Sequence, residues 1–302
     1  MKKISAMAAV AVAFAATLTA TSAQAADFVS TADRISLQNF TQTAKARYGI
    51  DLNSADYKVS QSAGVRIIHR KDVPTPEASI TKMPNGSTRV GARVQHTSPS
   101  GTEVEKLAAP GEVTVQQEVP WRQPSCFSLT DEEDPANIGD MLTCSAWARM
   151  SYPGESRFNW GYKVYGTCTH TNRINTYELD GCDVQTQQLT FAHSPKLYWN
   201  DWSPRGSVDL PNCDDRALSV GWGGVTAGHT TRVCERLNPY PGVDPGTMIA
   251  AWIGDAWNGE SREVAFVEAF GAENTLAIEM YNEAYYFYSP CSLIPPSFDL
   301  CG

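Results

Sequence analysis

Apolar side chains near the start of the chain recur at helical spacing. The stripe consists of Ile35, Leu37, Phe40, Ala44 and Tyr48. Ser30, Thr31 and Asp33 at its beginning are residue types that cap helix N-termini, and Gly49 is a typical residue just past a C-terminus. The pattern predicts a helix over about residues 31–48.

After this helix the apolar positions alternate with polar ones, which is typical of strands. Residues 56–60 and 64–70 have the composition of short strands. Residues 78–107 resemble a meander, with Pro84-Asn85-Gly86 as one of its turns. Segment 26–119 is therefore predicted to be a small α+β domain.

Residues 120–302 consist of short aromatic and β-branched runs separated by Gly, Pro, Asn and Asp. Such spacing predicts an all-β sandwich or a jelly roll. Within it, "GTMIAAWIGDAW" (246–257) could form a helix. "TLAIEMYNEAYYFY" (275–288) alternates with period two and is predicted to be a strand. The fold class is mainly β.

The first 25 residues have the features of a secretory signal peptide. Lys2 and Lys3 precede an Ala- and Val-rich stretch, and Ala23-Gln24-Ala25 fits a small-x-small cleavage site. No later stretch is long and apolar enough for a membrane span. We therefore expect a secreted, extracellular protein without membrane insertion.

The composition changes near Pro120. All eight tryptophans and all eight cysteines follow this position. Residues 26–119 carry 11 basic and 10 acidic side chains, whereas residues 120–302 carry 11 basic and 23 acidic ones. The shift predicts a domain boundary. The acidic second half lacks the basic footprint of a nucleic-acid-binding protein, so no nucleic acid is expected as a partner.

An even number of cysteines in an exported chain predicts a disulfide framework. The chain has no C-x-x-C motif, which disfavours redox and zinc sites. The expected pairing joins neighbours along the chain, while a longer-range weave is the alternative. The expected pairs are Cys126–Cys144, Cys168–Cys182, Cys213–Cys234 and Cys291–Cys301.

Sequence motifs for nucleophilic or metal-dependent catalysis are absent, since there is neither G-x-S-x-G nor H-E-x-x-H. Histidines at 69, 96, 170, 193 and 229 have no ligand spacing and are expected to be solvated or locally hydrogen-bonded. Carboxylates in strand-like runs are the enzymatic candidates, because a glycoside hydrolase needs two of them facing one sugar. They are Glu263, Glu268, Glu279 and Glu283. The alternative is that all four occupy solvent faces of half-buried strands.

Two acidic stretches are candidate cation sites. The loop at 130–140 could supply oxygen ligands for calcium, but it lacks the order of an EF-hand. It is predicted to be a solvated turn, as is Asp214-Asp215. We therefore predict no metal and no cofactor.

The remaining candidates for ligand contact are spaced tryptophans with polar residues between them. Trp199, Asn200, Asp201 and Trp202 precede a proline and a glycine, so the group is predicted to lie in a loop. Trp252 and Trp257 repeat the pattern. An exposed indole can bind a sugar or a protein side chain, and a buried one would only cover the core.

Three functions fit these features. The first is a secreted non-enzymatic binding protein whose β domain presents aromatic loops and whose N-terminal part is an adaptor or arm, for example in an exported toxin or cell-surface assembly. Its partner would be another secreted or cell-surface protein, or a glycan. The second is a secreted carbohydrate-active hydrolase that uses two of the glutamates. The third is a zymogen or inhibitor with 26–119 as a prosegment.

Overall fold

The computed structural model describes residues 30–99, 117–133, 138–150, 157–171, 176–257, 259–273 and 276–291. The predicted signal peptide, residues 1–25, lies outside the described residues. Within the described ranges the chain forms one α-helix, one 3₁₀ turn and fifteen strands. They are α1 (Thr31–Tyr48), the 3₁₀ turn Ser54–Asp56, β1 (Tyr57–Ser62), β2 (Val65–Arg70), β3 (Glu77–Lys82), β4 (Thr88–Thr97), β5 (Gln117–Glu118), β6 (Arg122–Asp131), β7 (Gly139–Arg149), β8 (Phe158–His170), β9 (Tyr177–Gln188), β10 (Leu197–Ser203), β11 (Val208–Trp222), β12 (Val225–Pro241), β13 (Met248–Ala256), β14 (Ser261–Ala272) and β15 (Glu279–Pro290).

The described strands form a β-sandwich of two sheets. Sheet I has the order β1-β2-β6-β7-β8-β14-β10, and sheet II has the order β11-β12-β13-β9-β15-β4-β3. Neighbours in both orders are antiparallel, and the short β5 adds a parallel pairing to β12. The predicted β-sandwich is confirmed. The suggested helix at 246–257 is wrong, because β13 occupies most of this segment between β12 and β9.

The main core lies between the inner faces of the two sheets. Alternation places Val90, Ala92 and Val94 of β4 on this side, opposite apolar side chains of sheet I. The largest fully buried side chains of this core include Trp147, Tyr162, Trp252, Phe266 and Tyr286.

A second core lies on the outer face of sheet I. Helix α1 covers one part of that face with Leu37, Phe40 and Ala44. Its cap is the predicted one: Ser30 Oγ accepts a hydrogen bond from the backbone N–H of Asp33 at 3.0 Å, and Gly49 has φ 68°.

The rest of this outer face is covered by the far end of the β11–β12 hairpin, residues 214–234, which we call the strap. Leu218, Val220, Val225 and Ala227 of the strap are buried in the second core. The strap turns at Gly223-Gly224, where φ is 57° and 89°. Glycine allows these positive values, which tight hairpin turns require.

A separate N-terminal α+β domain is not confirmed. Strand β2 pairs with β6 in sheet I, and β4 pairs with β15 over ten residues in sheet II. The first half of the chain thus supplies strands to both sheets and side chains to their common core. The change in composition near Pro120 does not coincide with a break in hydrogen bonding.

Three disulfides join cysteines of the described residues, and all three are pairs of neighbours as predicted. Cys126–Cys144 links β6 to β7, and Cys213–Cys234 links β11 to β12 at the base of the strap. Cys168–Cys182 joins β8 of sheet I to β9 of sheet II. Cys291 is also disulfide-bonded, and its expected partner, Cys301, lies outside the described residues. No helix in the described part of the chain is long and apolar enough to cross a membrane.

Candidate functional site

Trp199 and Trp202 lie in β10, the edge strand of sheet I, rather than in the predicted loop. The ladder with β14 skips Asn200, which forms a β-bulge. Residues three apart in a regular strand point to opposite faces, and the extra residue brings both indoles to one face, with ring centroids 5.5 Å apart. Both side chains are half-buried.

The polar residues between these indoles are occupied by internal contacts. Asp201 accepts hydrogen bonds from the backbone N–H groups of Trp202 and Gly221, both at 2.9 Å, and pairs with Arg205. The Asn200 amide donates to Asn159 Oδ1 at 3.0 Å. These contacts fasten the edge strand to its neighbours, so Asp201 has little capacity left for a ligand.

The second predicted tryptophan pair is split between core and surface. Trp252 is 1% exposed and packs between the sheets, so its expected ligand contact is wrong. Trp257 is half-exposed, and its backbone N–H donates to Glu260 Oε2 at 3.0 Å. Alternation along β13 turns Trp252 inward, and the spacing of the two tryptophans alone did not reveal that register.

The four candidate glutamates do not converge. Glu263 and Glu268 both lie on β14, five residues apart, and point to opposite faces of sheet I. Glu279 and Glu283 lie four residues apart on β15, about 13 Å at strand rise. The carboxyls of a glycosidase are roughly 5–9.5 Å apart across a sugar.

Two of these glutamates are buried, contrary to the solvent-face alternative. Glu283 is 7% exposed and forms an ion pair with Arg93 at 2.5 Å. Glu268 is fully buried, and its Oε1 accepts a hydrogen bond from Thr186 Oγ1 at 3.1 Å. Burial raises the pKa of Glu268 to about 8.

Most of the histidines lie in separate surroundings and do not come together to form one catalytic or metal site. His96 Nδ1 contacts Ser145 Oγ at 2.8 Å in a buried network that also contains Tyr162 and Asn282. His170 bonds a backbone carbonyl, and His193 is exposed. His69 is buried, and burial together with the Lys58 charge lowers its pKa to about 4.

The prediction of solvated turns is wrong for the described part of both acidic stretches, because Asp131 ends β6 and Asp214-Asp215 lie, exposed, within β11. Asp131 is buried and accepts a hydrogen bond from Tyr288 at 2.6 Å, while residues 134–137 lie outside the described residues. Within the described residues there is no group of three or more His, Cys, Asp or Glu that could hold a metal ion.

A concave site with aromatic walls lies at one end of sheet I. This cavity of about 360 Å³, which we call the tryptophan pocket, is lined by Trp121, Arg122, Pro124, Trp147, Arg149 and Trp160, together with Pro99 and Gln123. Trp147 and Trp160 are almost fully buried and form its inner wall, whereas Trp121 is partly exposed. Its volume falls within the usual range of ligand sites.

Local irregularity in β6 shapes this pocket. The β6–β7 register shifts between Arg122 and Ser125, and Gln123 adopts φ 47°. Such a bulge bends the strand and redirects its side chains. The indole N–H of Trp121 donates to the Gly228 carbonyl on the strap. The N–H of Trp147 is buried and has no acceptor in the described part of the chain.

A second, polar cavity lies between α1, sheet I and the strap. It has a volume of about 420 Å³, and we call it the lysine pocket. Its lining includes Arg47, Lys163, Tyr165, His229, Arg232 and Glu263. The ammonium of Lys163 lies 4.8 Å from the ring centroid of Tyr165 and 5.0 Å from that of Trp121. Trp121 therefore lines the tryptophan pocket and also contacts Lys163 of the lysine pocket.

No protein-family model matches this chain. No curated protein matches it either.

Neither pocket was predicted from the sequence. The tryptophan pocket joins residues of β6, β7 and β8, and the lysine pocket joins residues 47, 163, 229, 232 and 263. No local spacing connects such distant positions. The enrichment of tryptophan after residue 120 was the one signal that pointed toward an aromatic site.

Proposed function

We propose that this chain is an exported, non-enzymatic binding protein that takes a sugar in the tryptophan pocket. The observation that carries the proposal is a concave site lined by three indoles, of which that of Trp121 is partly exposed. A partly exposed indole can cover the apolar face of a sugar ring.

Export is supported by two features of the chain. The N-terminal 25 residues have the pattern of a signal peptide, and three disulfides brace the sandwich. Disulfides form and persist mainly outside the reducing cytosol.

The hydrolase alternative receives less support. Glu263 and Glu268 diverge across sheet I, and Glu268 lies in the closed core. A glycosidase needs its acid and its nucleophile or base on one substrate. Binding without turnover is therefore the function that the geometry favours.

The proposal is tested by titrating the secreted protein with defined neutral and acidic oligosaccharides in a calorimeter. For an oligosaccharide that binds, we expect Trp121→Ala to weaken the affinity about tenfold, because it removes the partly exposed indole face. Trp222→Ala is the matched control, since Trp222 is 37% exposed at the tip of the strap and does not line the pocket.

Three outcomes would contradict the proposal. They are no binding of any oligosaccharide, equal losses in the Trp121 and Trp222 variants, and release of new reducing ends from the bound sugar. Binding of peptides alone would instead indicate a protein partner.

A further inference from the structure

The lysine pocket collects cationic side chains from three separate elements. Arg47 comes from the last turn of α1, Lys163 from β8 and Arg232 from the strap. The pocket therefore has positive charge on three of its sides. A ligand bound there would touch the helix, the sheet and the strap together.

Lys163 is held by aromatic rings and lacks a carboxylate partner among the described residues. Burial lowers the pKa of Lys163 to about 8, since desolvation disfavours the ammonium form. Beside it, burial and the Lys163 charge lower the pKa of His229 to about 3, so His229 is neutral. Uncompensated charge of this kind is costly unless a ligand neutralises it.

The other two cations also form no salt bridge within the described structure, although the Arg47 charge opposes the rise that burial causes in the pKa of Asp140. The Arg47 guanidinium donates to the hydroxyls of Thr169 and Ser261, both at 3.2 Å, which are neutral partners. Arg232 uses its backbone N–H toward Glu263, and its side chain is exposed.

Two carboxylates line the pocket but do not neutralise Lys163. Glu263 Oε2 accepts hydrogen bonds from Thr231 Oγ1 at 3.1 Å and from the backbone N–H of Arg232 at 2.7 Å. Asp215 lies opposite Arg232 across the strap and is exposed to solvent. The side of the pocket that holds Lys163 and His229 is therefore free of acidic partners within the described chain.

We propose that the lysine pocket binds a phosphate or sulfate group through Lys163, Arg47 and Arg232. A tetrahedral oxyanion offers acceptor oxygens in several directions, which suits donors that approach from three sides. A planar carboxylate offers only two oxygens in one plane and meets fewer of these donors. The Tyr165 and His229 rings, whose centroids are 4.5 Å apart, would form one wall of the site.

An anion bound in the lysine pocket would contact the strap, α1 and sheet I at once and hold them together. It would also draw the ammonium of Lys163 toward the ligand and away from the Trp121 ring, which belongs to the tryptophan pocket as well. The donors of this anion site are not the side chains that line the proposed sugar site.

The experiment measures binding of inorganic phosphate and sulfate to the intact secreted protein. Thermal unfolding and calorimetric titration are performed at millimolar anion concentration, with sodium chloride at matched ionic strength and with acetate as the planar anion. We expect phosphate and sulfate to raise the midpoint of unfolding and to saturate, with a weaker effect of acetate.

Two variants localise the effect. Lys163→Met and Arg232→Met are each expected to raise the half-saturating concentration about tenfold, as for loss of one charge-assisted contact. Lys71→Met, which removes an exposed lysine outside the pocket, is expected to leave the half-saturating anion concentration unchanged. If Lys163→Met fails to fold, Arg232→Met decides, since Arg232 is exposed.

The proposal is overturned if phosphate and sulfate act no differently from chloride. It is also overturned if the folded pocket variants keep the affinity of the unmodified protein, or if Lys71→Met weakens binding as much as they do. Sugar binding measured in the same preparations reports separately on the tryptophan pocket.

Discussion

Glu268 is a carboxyl group enclosed by the core between the two sheets. Thr186 donates to its Oε1, while Oε2 has no hydrogen-bond partner among the described residues. Burial of an ionised carboxylate without a cation is strongly unfavourable, so the group is protonated in the folded protein. In the unfolded chain the same group ionises at its ordinary pKa of about 4.5.

This difference predicts the sign of a pH effect on stability. Between the unfolded pKa of 4.5 and the folded pKa of about 8, the folded state binds one proton more than the unfolded state. The contribution of Glu268 to the free energy of unfolding therefore falls as pH rises, by about 1.4 kcal/mol per pH unit. Below pH 4.5 the carboxyl is protonated in both states, so its titration no longer lowers the free energy of unfolding.

Glu268→Gln should remove this dependence, because the amide is neutral at every pH and has nearly the same shape. We expect little change at pH 4 and a gain of about 3 kcal/mol in the free energy of unfolding at pH 7, measured by chemical denaturation with disulfides intact. Glu279→Gln, at the partly exposed start of β15, is the control. If Glu268→Gln raises the free energy of unfolding by the same amount at every pH, Glu268 is not the protonated, buried carboxyl described above.

At the scale of elements, the inter-sheet disulfide differs from the two bridges that link neighbouring strands. Cys168 and Cys182 are both fully buried in the main core and connect two sheets between which the described strands form no ladder. In contrast, Cys213 is exposed, and its bridge joins strands that already share a ladder.

Removing the inter-sheet bridge should cost more stability than removing the bridge of the strap. We expect Cys168→Ala with Cys182→Ala to lose about 3–5 kcal/mol, since a loosened chain is combined with a cavity in the core. Cys213→Ala with Cys234→Ala should lose about 2–3 kcal/mol. Denaturant unfolding of both double variants measures the difference, and equal losses would contradict the role given to burial.

Local elements were the most predictable part of the structure. Helix α1 follows from its caps and its apolar stripe, and β15 follows from alternation at Ile278, Met280 and the tyrosines. The bulge at Asn200 was not predictable, because one unpaired residue leaves no pattern in the sequence. Without it, the shared face of Trp199 and Trp202 could not be inferred.

At the scale of the whole molecule, strands that are neighbours in a sheet are often far apart in the sequence. Residues 26–119 were expected to form a domain of their own, but β2 and β4 are built into the two sheets. Register between distant strands is set by the complete hydrophobic pattern of both partners and not by either segment alone. The two pockets depend on such long-range pairing, which is why local spacing did not indicate them.

Because residues 26–119 supply strands to both sheets, they are unlike a prosegment that can be removed without damage to the fold. Loss of residues 26–119 would remove β4, the neighbour of β15 in sheet II, together with the core side chains of β4 such as Val90. It would also expose the part of sheet I that α1 covers. We expect a chain that starts at Pro120 to lack a cooperative unfolding transition, measured by near-UV circular dichroism, and the secreted protein to retain residues 26–119 in N-terminal sequencing. A cooperative transition like that of the full chain would restore the prosegment hypothesis.

The pairing of β4 with β15 also sets the order of events during synthesis. Thr88 is opposite Tyr288, and Thr97 is opposite Glu279, so the partner of an early strand is made almost at the end. Contacts between such distant positions form late, because a long loop must close first. We therefore expect the sandwich to close only after β15 has been made. For the export that we propose, such a delay would keep the chain unfolded during passage through a translocation channel.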